Sequence, residues 1–482
     1  MAKEETKVGM TVKKSEDFSE WYQQLIIKSE LADYTKVSGC IVFRPWSYAI
    51  WEKLRDEVNS RIKAMGVKNA YFPLLIPESL LTREKEHLEG FTPEVAWVTH
   101  AGDTKLDEKL AIRPTSETIM YDSYSKWIRS WRDLPLKLNQ WNSVIRWEFK
   151  HSVPFLRTRE FLWNEGHTVF ATKEEAEKEA MDILEMYYDV LGKTMALPGL
   201  KGKKVKLETF AGAEYTMSVE LYLPNGKAIQ GPDSHHDGQI FAKAYDIKFL
   251  DKEGKEQYAY QNTWAITTRM LGVMFAIHSD DKGLVLPPAM APNKIVIVPI
   301  IFKDKEKEVM DASRKLVKEL AEFDALLDDR DIYSAGWKFN EWELKGVPLR
   351  VELGPRDLQN KQVVVVRRDT CEKVTVKMSD LKKKIPEILE DMHDNLYKKA
   401  EKLLHDNILE VESWKDFMKG IENQKIVVAP WCEDNECLDN IKHKSGGAKS
   451  LNMPFEQKLK KNAVCAHCGK KAKTICRFGK SY

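Results

Sequence analysis

Between Asn142 and Phe170 the chain alternates, with VIRWEF and REFLWNEGHTVF setting aromatic or branched residues among polar ones on either side of a polar connection, KHSVPFLRT. That period gives each run one buried face, so the stretch predicts a β-hairpin. Helical spacing of apolar residues predicts helices over 17–35, from Pro45 to near Gly66 behind a short CIVF strand, over 172–192 capped by Thr172, and through ITTRMLGVMFAIHSD. From 108 onward, EKLAIRPTSETIMYDSYSKWI turns a strand into a helix, with Thr115, Ser116 and Glu117 near the turn. NAYFPLLIP reads as a strand ending at Pro77. Pro73 within it has no amide hydrogen to donate, which assigns it to an edge, as at a subunit interface. QGPDSHHDGQ at 230–239 concentrates Gly, Pro, Asp and His and reads as a loop.

The proline-dense LPPAMAPNK at 286–294 reads as a linker. Beyond it KIVIVPI, a helix from Asp304 to about Glu322, RDIYSA, PLRVEL and KQVVVVRR alternate apolar strands with helical patterns, as in a small α/β domain. Residues 379–423 read as helical and charged in both signs, a solvated connector, and a last module opens at KIVVAP.

At 482 residues the chain exceeds one compact core and predicts about two to four domains. Lys+Arg 76 against Asp+Glu 74 leaves a net charge of +2, so any RNA contact must come from local patches. No apolar run is long enough for a spanning helix, and the charged start, MAKEETKVGMTVKKSEDF, lacks the apolar core of a signal peptide. Cys40 and Cys371 stand alone, whereas Cys432, Cys437, Cys465, Cys468 and Cys476 crowd the last stretch, a distribution of a reduced compartment with a local metal site.

The spacing Cys432-x4-Cys437, then 27 residues, then Cys465-x2-Cys468 supplies two thiolate pairs that close one tetrahedral shell. No position is left for a catalytic water, which is the arrangement of a structural zinc. Gly469 suits a tight turn there, Cys476 is left to pack, and His467, between two ligands, is a rival donor whose side chain is expected to point away. On the hairpin, Arg146, Arg157 and Arg159 with Lys150 and His151 offer donors that match phosphate or carboxylate oxygens in pairs. A Thr or Ser followed by Glu is ordinary helix punctuation by itself. Here Thr115 and Glu117 keep company with Arg146 and Glu148, with Gln230 and His235, and with Thr267, Thr268 and Arg269 at a helix start, a ready anion site.

These residues, in this order, resemble the class II aminoacyl-tRNA synthetases, and within them the prolyl-tRNA synthetases of the archaeal and eukaryotic type. RPTSET at 113–118 resembles the family's TxE amino-acid loop, RWEF with RTREFLW its motif 2, and TTRMLGVM its motif 3. The strand with Pro73 resembles motif 1, the dimer element; GPRD at 354–357 resembles the anticodon-binding domain, and the four cysteines with terminal Tyr482 the zinc-binding C-terminal domain. The resemblance implies an α+β catalytic domain over 1–285 built on an antiparallel sheet flanked by helices. An α/β anticodon-binding domain over 286–400 and a small α/β zinc domain over 401–482 would follow.

It further implies a cytoplasmic homodimer that joins L-proline to tRNA(Pro) with ATP and Mg²⁺. Arg146 would bridge the α-phosphate and the proline carboxylate, Glu148 would read the adenine end, and Arg157 and Arg269 would hold the outer phosphates. Thr115 and Glu117 would receive the ring ammonium, and Phe161, Trp163 and His235 would wall the pyrrolidine. Thr158, Gln230, Asp233 and Thr267 would line the nucleotide, Gln230 and Thr267 also meeting the 3′ adenosine. The family usually has threonine where this chain has Asp233, and no long editing insertion separates motifs 2 and 3. A shape-reading pocket without editing is expected to leak toward alanine or cysteine. Two other readings compete: a synthetase for another small amino acid, and a non-catalytic RNA-binding protein that kept the scaffold.

Overall fold

The computed structural model describes residues 9–87, 94–148, 151–302 and 304–482. Lys150 and residues 1–8 of the charged start lie outside the described residues. The hairpin forms as strands β1, Leu136–Ile145, and β2, Glu160–Phe170, paired antiparallel from Leu136↔Val169 to Ile145↔Glu160. The first strand therefore begins earlier than VIRWEF and stops after its first two residues, leaving Arg146 and Glu148 just past the last ladder pair.

Strands β3, Ala228–Gly238, and β4, Tyr260–Thr267, lie beside the hairpin in a seven-stranded sheet. Its order runs Lys68–Asn69, β1, β2, β4, β3, Tyr215–Tyr222, Leu200–Lys203, and only the first pairing is parallel. The 230–239 stretch is thus a central strand, not a loop. Its register steps from Ser218↔Asp233 to Glu220↔Gln230, so Gly231 and Pro232 stand opposite Val219 alone. A bulge accommodates a proline that cannot donate to the ladder, and at Gly231 a side chain would meet Leu221 Cδ1 at 2.7 Å.

Helix α1, Glu117–Trp127, follows the strand Thr104–Ile112 as expected. Helix α2, Lys173–Lys193, opens with a Thr172/Glu175 capping box and packs on β2, β3 and β4 through Ile183, Leu184 and Tyr187. Close packing there leaves no room for a side chain at Gly166, where a Cβ would sit 2.1 Å from Trp264. On the opposite face α1 and Ile240–Tyr245 bury Met120, Tyr121, Phe241 and Tyr245 with Val169. Helix α3 runs Arg269–His278, later than the ITT start, because β4 takes residues up to Thr267.

Several further expectations are corrected. The helix over 17–35 stops at Lys28, Glu30 adopts φ +57°, and Ala32–Tyr34 pairs with Ile41–Phe43. NAYFPLLIP is two short edge strands in different sheets, Lys68–Asn69 and Leu75–Pro77, with Pro73 in the break. The 286–294 linker is packed, not loose: Leu286, Met290 and Ala291 join the main core.

In the second unit Ile295–Pro299 lies between Ala325–Leu327 and Leu349–Leu353, all parallel, with Gln362–Arg367 and Lys373–Lys377 added antiparallel. RDIYSA is not a strand there; that edge is Ala325–Leu327. Helix α4, Leu381–His405, is no solvated connector, since Leu381, Ile385, Leu389, Met392, Leu396, Ala400 and Leu404 form a buried stripe. Strand Ile408–Glu410 and helix Trp414–Glu422 follow, and the last sheet has four strands, centred on Ile426–Trp431 and Thr474–Gly479.

Candidate active site and cysteine cluster

One face of β2, β4 and β3 lines a cavity of about 320 Å³. Thr115, Glu117, Arg146, Glu148, Thr158, Phe161, Trp163, Gln230, Asp233, His235, Thr267 and Arg269 all reach it. Arg157 does not line it; its backbone pairs with Val153, and its charge acts on Arg269.

Arg146 forms the middle of the wall. Its Nε donates to Pro114 O at 3.0 Å, and its guanidinium lies 5.2 Å from the Trp163 ring and 5.6 Å from Phe161. The two rings meet edge to face at 5.7 Å. A guanidinium held this way keeps its remaining donors free for a planar anion.

At one end stand Thr115 and Glu117, joined by a short hydrogen bond from the threonine hydroxyl. Behind them Glu165 accepts from Ser116 N at 3.0 Å, Ser116 Oγ at 2.5 Å, Asn142 Nδ2 at 2.6 Å and Gln140 Nε2 at 3.2 Å. His167 Nε2 lies 3.1 Å from the same carboxylate, and Tyr121 Oη lies 3.2 Å from His167 Nδ1. Burial alone would raise the Glu165 carboxyl, but the His167 bond and charge and the Ser116 and Asn142 donors hold it at about 2. Burial alone would lower His167; the Glu165 bond and the charges of Glu117 and Glu165 raise it instead. Glu117, Glu165 and His167 come within metal-binding reach of one another. Glu165 is nevertheless saturated by donors, so the trio is a hydrogen-bond network.

At the other end Arg269 donates from Nε to Leu156 O and from Nη1 to Gln230 O, both at 3.2 Å. Asp233 Oδ2 accepts from Gln230 Nε2 at 2.7 Å, and Oδ1 lies 3.4 Å from His235 Nε2. Burial would raise the Asp233 carboxyl, but His235, Lys204 and Arg146 bring it below the usual range.

In the C-terminal unit the four cysteine sulfurs lie within 4.8 Å of one another. Cys437 Sγ is 3.7 Å from Cys465 Sγ, and Cys468 Sγ is 3.5 Å from Cys432 Sγ. A tetrahedron with ~2.3 Å zinc–sulfur bonds has edges of about 3.8 Å, so the four fit zinc. Gly469 turns there with φ +69°, and Cys476 is buried. His467 does not point away: its Nδ1 is 3.2 Å from Cys437 Sγ, because Trp414 packs against its ring edge-on at 4.7 Å.

Three stretches match family models: tRNA synthetase class II core domain (G, H, P, S and T) over 97–278, anticodon binding domain over 294–388, and prolyl-tRNA synthetase, C-terminal, over 414–482. The cytoplasmic proline–tRNA ligase of Arabidopsis thaliana is 46% identical over 489 residues, covering 100% of this chain and 92% of that relative. The proline–tRNA ligase of Lachnoclostridium phytofermentans is 46% identical over 484 residues, covering 100% of both. The bifunctional glutamate/proline–tRNA ligase of Drosophila melanogaster is 46% identical over 505 residues, which is 100% of this chain and 30% of that longer one.

The chain belongs to the proline–tRNA ligase family. Its members are class II aminoacyl-tRNA synthetases, which use ATP and Mg²⁺, and nothing in the matches favours a non-catalytic protein or another amino acid.

Sequence reasoning did not find Asn142, Glu165, His167, Phe210, Thr216 or Thr263 at the site. Phe210 faces His235 with ring centroids 4.7 Å apart, and Thr216 Oγ1 lies 2.8 Å from His235 Nδ1. The period of REFLWNEGHTVF does put Glu165 and His167 on the Phe161/Trp163 face, a usable signal. Phe210 sits between Thr209 and Ala211 with no local pattern to mark it.

Proposed function

We propose that this chain activates L-proline with ATP to prolyl-adenylate and passes the prolyl group to the 3′ adenosine of tRNA(Pro). The observation that carries this reading is Arg146, held over Phe161 and Trp163 between an acidic end at Glu117 and a cationic end at Arg269. Proline fits that polarity. Its ring ammonium meets Thr115 and Glu117, its pyrrolidine lies among Phe161, Trp163 and His235, and its carboxylate reaches Arg146.

Arg146 then presents that carboxylate to the α-phosphate for in-line attack, with pyrophosphate leaving toward Arg269 and Arg157. Alignment and charge neutralisation supply the rate enhancement, and no side chain serves as nucleophile. Glu148, exposed at the mouth, meets the adenine end, and Thr158, Gln230 and Thr267 line the nucleotide and the 3′ adenosine. Glu148 is the exposed cavity carboxylate at this end that could help hold Mg²⁺, which would neutralise triphosphate charge when bound. Cys432, Cys437, Cys465 and Cys468 would hold a structural Zn²⁺.

A homodimer across the Pro73 region is supported by an apolar patch there: Tyr71 is 71% exposed, and Leu74, Leu75 and Trp97 are exposed beside it. Among the described residues no helix is long and apolar enough to cross a membrane. We infer a cytoplasmic location from the cytoplasmic ligase of Arabidopsis thaliana. Pyrophosphate exchange driven by each amino acid in turn tests the activity. Proline alone should drive it strongly, and no exchange with proline sinks the reading. Light scattering tests the dimer, for which a mass of one chain is the contrary result.

A further inference from the structure

Asp237 lies outside the cavity wall, fully buried at the bulged end of β3 beneath the Glu117 end. Its Oδ1 accepts from Thr263 Oγ1 at 3.3 Å, while its Oδ2 has no hydrogen-bond partner among the described residues. Thr263 does line the cavity. Gln261, two residues earlier on β4 and so on the same face, is also fully buried, and neither side-chain polar atom has a partner among the described residues. Buried polar atoms are seldom left unmatched, and a group of them beside a ligand site calls for a reason.

The charges supply one. Three carboxyls, Glu117, Glu165 and Asp237, share this floor with one imidazole, His167. Glu165 and His167 offset each other. Burial, then the charge of Glu117, push the Asp237 carboxyl well above its usual range, and a buried oxygen without a donor likewise favours the neutral form. Glu117, whose side chain reaches the cavity beside this pair, is the carboxylate that one positively charged ligand group can meet. A second anion here would remain buried without a partner.

We propose that Asp237 is a positioning residue for the amino-acid substrate, acting on Glu117 and Thr263 from beneath the cavity without touching proline. This rests on the reading that Glu117 receives the ring ammonium. Asp237 holds Thr263 in place by accepting its hydroxyl and presents a neutral surface to Glu117, so the ammonium has one charged acceptor at a fixed position.

Asp237→Leu keeps the branched outline, with added bulk, and removes both polar atoms; Asp237→Asn keeps the shape and the neutrality. In pyrophosphate exchange, Asp237→Leu should raise KM for proline about tenfold or more, leave KM for ATP within about twofold, and leave the Ki of tetrahydrofuran-2-carboxylate within about twofold. That inhibitor has proline's outline with oxygen in place of the ring nitrogen. Asp237→Asn should recover most of the proline affinity. An unchanged KM for proline overturns the inference, as does a parallel rise in all three constants or an Asn variant as impaired as Leu. Should the Leu variant not fold, the Asn variant decides by the same three constants: values near wild type support a neutral positioning group, and a selective loss for proline overturns it. Wild-type protein that exchanges no pyrophosphate with proline would instead sink the assigned activity itself.

Discussion

Ser116 and Glu165, separated by 49 positions, are joined twice, through the Ser116 amide at 3.0 Å and its hydroxyl at 2.5 Å. The TxE turn is therefore fastened to the hairpin strand that carries Trp163, and Asn142 extends the link by bonding both Glu165 and Trp163 Nε1 at 2.6 Å.

Replacing Glu165 with Gln should destabilise the fold by about 3–5 kcal/mol, because it strands His167 without its counter-charge. Glu165 lies below its usual 4.5, so its contribution is full above that pH and fades as pH falls toward 2. His167 is raised above 6.5, so its share is full below that pH and fades as pH rises through the raised value. Urea unfolding across pH should find the wild-type advantage over Glu165→Gln greatest between 4.5 and 6.5. A pH-independent difference would refute the pairing.

Arg146→Ala should lower pyrophosphate exchange by about 10²–10³-fold or more, since it removes the donors that align carboxylate and phosphate. Binding of tRNA by filter retention should change by less than about twofold, because other contacts hold the backbone. Equal loss of both would mean misfolding or a different role.

Asp233 sets a carboxylate among the cations that await the triphosphate. Asp233→Asn should lower KM for ATP by about two- to tenfold, as expected for removing one partly screened charge near an anion. A higher KM would show instead that the carboxylate assists the nucleotide.

Cys465→Ser should unfold the C-terminal unit while leaving exchange measurable, and metal analysis of wild-type protein should find about one zinc per chain. Native protein without zinc would end that assignment.

Alanine lacks two ring carbons of proline, and a pocket that reads shape loses only about 1–3 kcal/mol for each. Steady-state activation of alanine and of cysteine should both be detectable. Neither being measurable would overturn the expected leakage.

Much of the architecture was legible because it is local. Period two marked the hairpin, capping chemistry marked Thr172, and the cysteine spacing grouped four thiols that the fold brings within one shell. The 230–239 strand was misread because Gly, Pro and Asp signal turns locally. Between two formed strands, a bulge absorbs them. Likewise the proline-rich 286–294 stretch and α4 looked solvated by composition, yet each buries apolar residues against elements distant in sequence.

By itself, then, the sequence determined the order of motifs, the arginines of the hairpin and the family they resemble. Chain neighbours and short repeats carry that information. Tertiary structure alone decided that Glu165 underlies Ser116, that Phe210 faces His235, that His467 touches Cys437 and that Asp237 lies under Glu117. Each of these depends on strand register or on packing between distant segments, where a shift of one residue would turn every side chain to the other face.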